Sequence, residues 1–300
     1  EELPRAEDVT ITSSVDDHEQ PAMWMPPQDA SGEDGAPLLV VLHSWHTEYQ
    51  QHQNIPFAQL ADQLGWATIS PNFRGTFDDP DAAGSELAVQ DVLDAIDWAG
   101  EQTEIDPDRV FVTGFSGGGM MTLLMAGQHP EVFAGAAAWV PVYDLTRFYE
   151  YNLEHDPEGP YPEHIETICG GDPTDDEDAA ADCDARSPVT HMQGIAEAEL
   201  PLYLGHGVDD TIVRPDVTLQ AFNDGAAPDE QIATATIEAA YDHELPEEVD
   251  DEVATFFGPD DPEVRFARAS DASRVVLFDG DHDKVYHPTL RWMAALAERS

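Results

Sequence analysis

A serine set between glycines, where a strand-like apolar run gives way to a helix-like one, constrains this chain more than any other feature. Residues 112–120 read VTGFSGGGM. Such a joint can cradle a phosphate, turn tightly without chemistry, or force one hydroxyl into the open. No G-x-x-x-x-G-K-[ST] run is present, which disfavours the phosphate loop. The match is to G-x-S-x-G, with Gly114 and Gly118 flanking Ser116. In that turn the serine sits on a strained strand-to-helix bend, and the glycines let neighbouring backbone come close. Ser116 is therefore the candidate nucleophile. A serine hydroxyl is weak at neutral pH, so it calls for a base, an orienter of that base and donors for the developing oxyanion.

The flanking sequence fits one continuous α/β pattern. Fully apolar runs of strand length recur at 38–42 (LLVVL), 66–70 (WATIS) and 109–113 (RVFVT), as expected of parallel strands buried on both faces. Residues 133–140, 202–204 and 274–278 supply three more strands, and VTITSS with PAMWMPP predicts an antiparallel pair on an edge. Between them, SELAVQDVLDAIDWA places Val89, Val92, Leu93 and Ile96 at helical spacing behind a Ser85 start, a core stripe, and residues 288–298 read as a closing helix. Alternating strands and helices predict a doubly wound, mostly parallel sheet with helices on both faces, here as a single domain over 1–300. Two stretches break the rhythm. Residues 143–199 read as a lid-like insertion, and 224–271 as a second insertion with an extra helix and a connection.

On such a sheet an acid should follow a later strand and a histidine the last one. Asp209 and Asp210 follow PLYLGHG, and His282 follows RVVLFDG. Together with LHSW after the first buried strand, PNFRG at 71–75, GFSGGG, the HGxxDxxV pattern at 206–213 and GDH at 280–282, these pieces make the chain resemble the α/β-hydrolase fold. Within that fold it resembles the catalytic domain of the prolyl oligopeptidase family and its esterase relatives. The resemblance spans residue 38 to the C-terminus and is specific to fold and machinery, not to a substrate.

It implies Asp210 as the acid, with Asp209 the runner-up, and His282 rather than His287 as the base. It implies an oxyanion hole from the Gly117 N–H and the Trp45 N–H, although Ser44 stands where relatives usually carry glycine. His43 is expected to support that loop. Tyr143 and Phe148, at the head of the first insertion, are the candidate substrate contacts. Peptidase members usually carry a β-propeller, and 300 residues without a repeat leave no room for one, so a carboxylic ester hydrolase working through an acyl-enzyme is expected. A peptidase acting on short peptides and a non-catalytic binding domain are the alternatives. The expected substrate is a small-molecule or polymer-borne ester.

Composition excludes other classes. Sixty-two acidic residues against 12 basic ones give a formal net charge of -50, which repels a nucleic-acid backbone. Such a surplus predicts adaptation to high salt, where a Debye length of roughly 3 Å at 1 M screens self-repulsion. No apolar run reaches the roughly 18 residues that span a bilayer, and the start, EELPRAED, is read as processed or truncated. Secretion or cell-surface location is the expectation, with the cytoplasm of a salt-accumulating halophile as the alternative. No cofactor and no metal are expected. The acidic run at 172–184 fails an EF-hand test because Glu177 stands where glycine is needed, so it reads as a solvated loop, and His43, His46 and His52 lack zinc spacing. In an oxidising compartment a bridge between Cys169 and Cys183 would staple the first insertion, with two free thiols as the alternative.

Overall fold

Alternate residues of one strand serve two different cores. In the computed structural model, which describes residues 3, 5–28, 35–241, 245 and 248–299, Leu38, Val40 and Leu42 of β3 (Ala36–Leu42) face one hydrophobic cluster, and Leu39 and Val41 face the other. All five are fully buried. A strand sealed on both faces needs no polar alternation, which is why it reads as an unbroken apolar run.

The central strands are β3, β4 (Ala67–Pro71), β5 (Ile105–Phe115), β6 (Gly135–Trp139), β7 (Leu202–Gly207) and β10 (Ser273–Phe278), all mutually parallel. β1 (Glu7–Thr12) and β2 (Glu19–Met25) pair antiparallel at one edge. At the other lie β9 (Val264–Ala269), antiparallel to β10, and the short β8 (Glu248–Val249). The full order is β1-β2-β4-β3-β5-β6-β7-β10-β9-β8.

Helices cover both faces. One carries α1 (Ile55–Gln63), α10 (Asp251–Ala254) and the closing α11 (Tyr286–Ala297), whose Phe57, Val253 and Trp292 are buried together. The other carries α2 (Glu86–Gln102), α3 (Gly117–Gln128), α8 (Pro215–Gly225) and α9 (Thr234–Tyr241). Ser85 starts α2 as the sequence indicated, its hydroxyl accepting the Ala88 N–H at 3.0 Å.

The chain leaves β3 for β4 on one side and later leaves β5 for β6 on the other. β3 and β5 are neighbours, so the strand order reverses between them. In doubly wound sheets the loops at such a switch point diverge and leave a crevice beyond the carboxyl ends.

The first excursion, 143–199, is helical: α4 (Leu145–His155), α5 (Pro160–Cys169), α6 (Glu177–Arg186) and α7 (Met192–Ala198). Two expectations are corrected here. The acidic run at 172–184 is not wholly loop, because Asp176 caps α6 by accepting from the Asp178 N–H at 2.9 Å and acids in a first helical turn suit its dipole. The second excursion, 224–271, holds strand β9 as well as helix and connection. Residues 242–244, 246 and 247 of it lie outside the described residues.

Cys169 at the end of α5 is bonded to Cys183 in α6, a separation of 14 residues. Closing a loop of about 15 residues restricts the unfolded chain by about 3 kcal/mol in the chain-entropy model. The double variant Cys169→Ser/Cys183→Ser should therefore unfold with a loss of about 3 kcal/mol in denaturant titration. A loss below about 0.5 kcal/mol would show that the helices hold this segment without the bridge.

Candidate active site

Ser116 joins β5 to α3 in a strained conformation, φ +58° and ψ -123°. A non-glycine residue keeps positive φ only where its surroundings enforce it. Here the Ser116 N–H donates to the Trp139 carbonyl at 2.9 Å, and its carbonyl accepts the Met120 N–H at 2.9 Å, which begins α3. The turn is as tight as glycine allows. A Cβ on Gly114 would run into the Gly118 carbonyl, and one on Gly118 would run into the Leu42 carbonyl at the end of β3.

The acid and the histidine meet two strands away. Asp210, fully buried, follows β7. Its Oδ1 accepts the Ile212 and Val213 N–H groups at 2.8 and 3.1 Å, while its Oδ2 accepts from His282 Nδ1 at 2.7 Å and from His206 Nε2 at 3.0 Å. Burial pushes the Asp210 carboxyl up, but the hydrogen bonds from His206 and His282 outweigh it and hold the group well below the usual carboxylate range. Asp209 is exposed and uses its N–H on the Gly280 carbonyl at 3.0 Å, tying this loop to the one that bears His282. His287 lies elsewhere, 3.4 Å from Asp261.

His206 opens the HGxxDxxV pattern, which points to Asp210 and says nothing of what its own first residue does. It is completely buried, and its Nε2 faces only acceptors, the Asp210 carboxylate and the Val213 carbonyl at 2.9 Å. Nε2 must therefore carry the proton, which leaves Nδ1 to accept the Thr218 hydroxyl at 2.6 Å. Nothing in the sequence pairs Thr218 with His206.

The loop after β3 brings Trp45 against the elbow. The Trp45 nitrogen lies 2.8 Å from where a Cβ on Gly117 would sit. Neither the Gly117 nor the Trp45 N–H has a hydrogen-bond partner among the described residues. The loop itself is anchored throughout. The Ser44 N–H donates to Gln51 Oε1 at 2.9 Å, and the Trp45 carbonyl accepts the Phe77 N–H at 2.9 Å. His43 Nε2 donates to the Asn72 carbonyl at 2.8 Å, with its ring stacked 4.0 Å from that of Phe73.

Aromatic side chains of the first excursion close over this loop. Tyr161 of α5 packs 5.6 Å from Trp45, and His164 Nδ1 accepts the Trp45 indole N–H at 3.2 Å. Phe148 packs 4.9 Å from Tyr161 and is 6% exposed. Tyr143 is buried and its hydroxyl donates to Asp224, leaving only its ring to line, with Phe148, Tyr151 and Val213, a small cavity of about 30 Å³. Tyr161 and His164 carried no sequence signal, because α5 is amphipathic and both read as ordinary helix residues.

Both excursions grip the loop of Asp210. The Tyr151 hydroxyl donates to the Thr211 carbonyl at 3.1 Å, and the Arg214 guanidinium lies 3.1 Å from the centre of the Tyr241 ring in α9. Among the described residues Ser116 and His282 share no hydrogen bond; the Phe115 ring lies 6.3 Å from the His282 ring. Among the described residues no group of His, Cys, Asp or Glu is arranged to hold a metal ion, and no helix is long and apolar enough to cross a membrane.

The family model for the prolyl oligopeptidase family matches residues 58–256. Among curated proteins, the chain is 36% identical over 113 residues to a probable acetylxylan esterase A of Neosartorya fischeri, covering 34% of this chain and 30% of that protein. It is 36% identical over 118 residues to acylamino-acid-releasing enzyme 1 of Oryza sativa subsp. japonica, covering 37% of this chain and 15% of that one. The chain thus spans less than half the length of these curated relatives. Among solved structures, the acylaminoacyl peptidase of Pyrococcus horikoshii superposes with a TM-score of 0.63 at 16% identity, covering 98% of this chain and 41% of that one. This likeness shows the fold.

Burial holds the His43 imidazole down to about 4, from an ordinary value of 6.5. Between those values the unfolded chain binds a proton that the folded chain refuses, so stability is lost as pH falls through that window and returns as it rises. His43→Asn should flatten this dependence while lowering stability at neutral pH, measured by urea unfolding at successive pH values. An unchanged slope would show that His43 is not held neutral.

Proposed function

Since the chain belongs to the prolyl oligopeptidase family, we propose that it is a serine hydrolase that cleaves carboxylic esters with Ser116, His282 and Asp210 as its catalytic groups. The observation that carries this reading is the 2.7 Å bond between His282 Nδ1 and the buried Asp210, at the sheet edge where the strained Ser116 ends β5. With Nδ1 committed to Asp210, Nε2 is the nitrogen left to act as base. It takes the proton as Ser116 Oγ attacks the ester carbonyl, then delivers it to the departing alcohol. Water activated by the same nitrogen releases the acyl group and restores Ser116. Asp210 keeps the tautomer and stabilises the imidazolium. The N–H groups of Gly117 and Trp45, close together and without a partner among the described residues, would stabilise the tetrahedral oxygen. Hydrogen bonds from serine to base are often long in free enzymes and tighten when substrate binds.

The substrate we favour is a small acyl ester, free or borne on a polymer, as the acetylxylan esterase relative suggests. Helices α4 and α5 would act as a cover, with the rings of Phe148 and Tyr143 lining the neighbouring cavity. Peptide hydrolysis is the second reading, favoured by the similarity to acylamino-acid-releasing enzyme 1. The Cys169–Cys183 bridge supports folding in an oxidising compartment, and hence secretion. The charge of -50 supports function at high salt.

A fluorophosphonate probe should label the wild type and fail on Ser116→Ala. Asp210→Asn, which disturbs the tautomer, should lower kcat by about 10⁴. Equal labelling of Ser116→Ala would end the nucleophile assignment and favour a non-catalytic binding domain. p-Nitrophenyl acetate should be cleaved far faster than aminoacyl anilides, and the reverse order would select the peptidase. Raising NaCl from about 0.1 to 1 M, which shortens the Debye length from about 10 to 3 Å, should raise the thermal midpoint. A falling midpoint would dispose of the high-salt reading.

A further inference from the structure

Lys284 is the only lysine in the sequence, and it is buried: its side chain is 3% exposed. Lysine is almost never buried without a partner, yet its one carboxylate neighbour is slight, Oδ1 of the exposed Asp283 at 3.4 Å. What covers the ammonium is aromatic. Nζ lies 3.7 Å from the centre of the Phe115 ring and 5.7 Å from that of Tyr286. The attraction between a cation and a ring face is strongest when both are desolvated, as they are here.

The placement of this contact gives it meaning. Phe115 is the residue before Ser116, and Lys284 is two residues after His282. The His282 loop is fastened to the Asp210 loop by hydrogen bonds, whereas among the described residues no hydrogen bond joins it to the elbow; there Phe115 stands beside both, its ring 6.3 Å from the His282 ring and 3.7 Å from the Lys284 ammonium. We propose that Lys284 is a positioning residue: seated on Phe115, its ammonium fixes how far His282 stands from Ser116, a separation that no hydrogen bond among the described residues sets. The proposal rests on the reading of Ser116 and His282 as nucleophile and base. The other groups facing the ammonium are Asp283, on its own loop with Oδ1 at 3.4 Å, and Tyr286, which opens α11 with its ring centre at 5.7 Å; of the three, Phe115 alone is on β5.

The role separates from packing because methionine fills the same space with no charge and only a weak sulfur contact with the ring, whereas arginine keeps the cation over its face. The test compares Lys284→Met, Lys284→Arg, Phe115→Leu and the double variant Lys284→Met/Phe115→Leu on p-nitrophenyl acetate, with thermal unfolding recorded for each. Lys284→Met should lower kcat about tenfold with KM unchanged. Lys284→Arg should recover most of that loss, and the double variant should be no slower than the slower single one, as coupled residues behave. Wild-type kcat in Lys284→Met, or a double variant whose loss is the product of the two single losses, would overturn the proposal. If Lys284→Met does not fold, Phe115→Leu with wild-type kcat overturns it equally. Absent fluorophosphonate labelling of the wild type would overturn the hydrolase reading itself, whereas a labelled wild type with indifferent Lys284 variants overturns the positioning role alone.

Discussion

The close approach of Gly118 to the Leu42 carbonyl is the constraint from which the rest of the site follows. Two parallel strands, β3 and β5, lie side by side, and their continuing chains must part in opposite directions. For α3 to begin at once beside β3, its first turn has to pass against β3's last carbonyl, and no side chain fits between them. That pressure holds Ser116 at positive φ and sets the Gly117 N–H beside the Trp45 N–H. Both donors are left without a hydrogen-bond partner among the described residues.

Asp210 is prepared in the complementary way. Its carboxylate accepts two backbone N–H groups and two imidazoles, and His206 is itself oriented by Thr218. A buried carboxylate is costly unless its lone pairs are occupied. Those partners occupy the carboxylate within the folded chain alone, which is what holds it ionised although it is buried. The arginines show the same economy: Arg74, Arg147, Arg214 and Arg274 are each engaged with carboxylates, so the surplus of acid is left on the outside.

How much of this was legible followed from how local each signal is. The buried parallel strands announced themselves because sealing both faces leaves a run such as LLVVL with no polar interruption. GFSGGG was legible because steric closeness has one residue type that satisfies it. Strand β9 was not, since Arg265 and Arg268 interrupt VRFARA and an edge strand needs apolar residues on only part of its surface. Helix α6 hid behind its acids, which favour a helix start as much as a solvated loop. His206 stood inside a quoted pattern, yet its partner Thr218 is on another element and its tautomer depends on three atoms that only the fold assembles. Tyr161 and His164 belong to a helix whose contacts with Trp45 span more than a hundred residues of chain.

The grip of Tyr151 on Thr211 from one excursion, and of Tyr241 on Arg214 from the other, has a consequence for redesign. Segments outside a conserved sheet are the natural pieces to exchange when a new substrate is wanted, on the assumption that the scaffold ignores them. Here both pieces hold the same short turn, and that turn carries Asp210. A graft that imports α4 alone would tug Asp210 out of register, so the two segments must be transplanted as a pair.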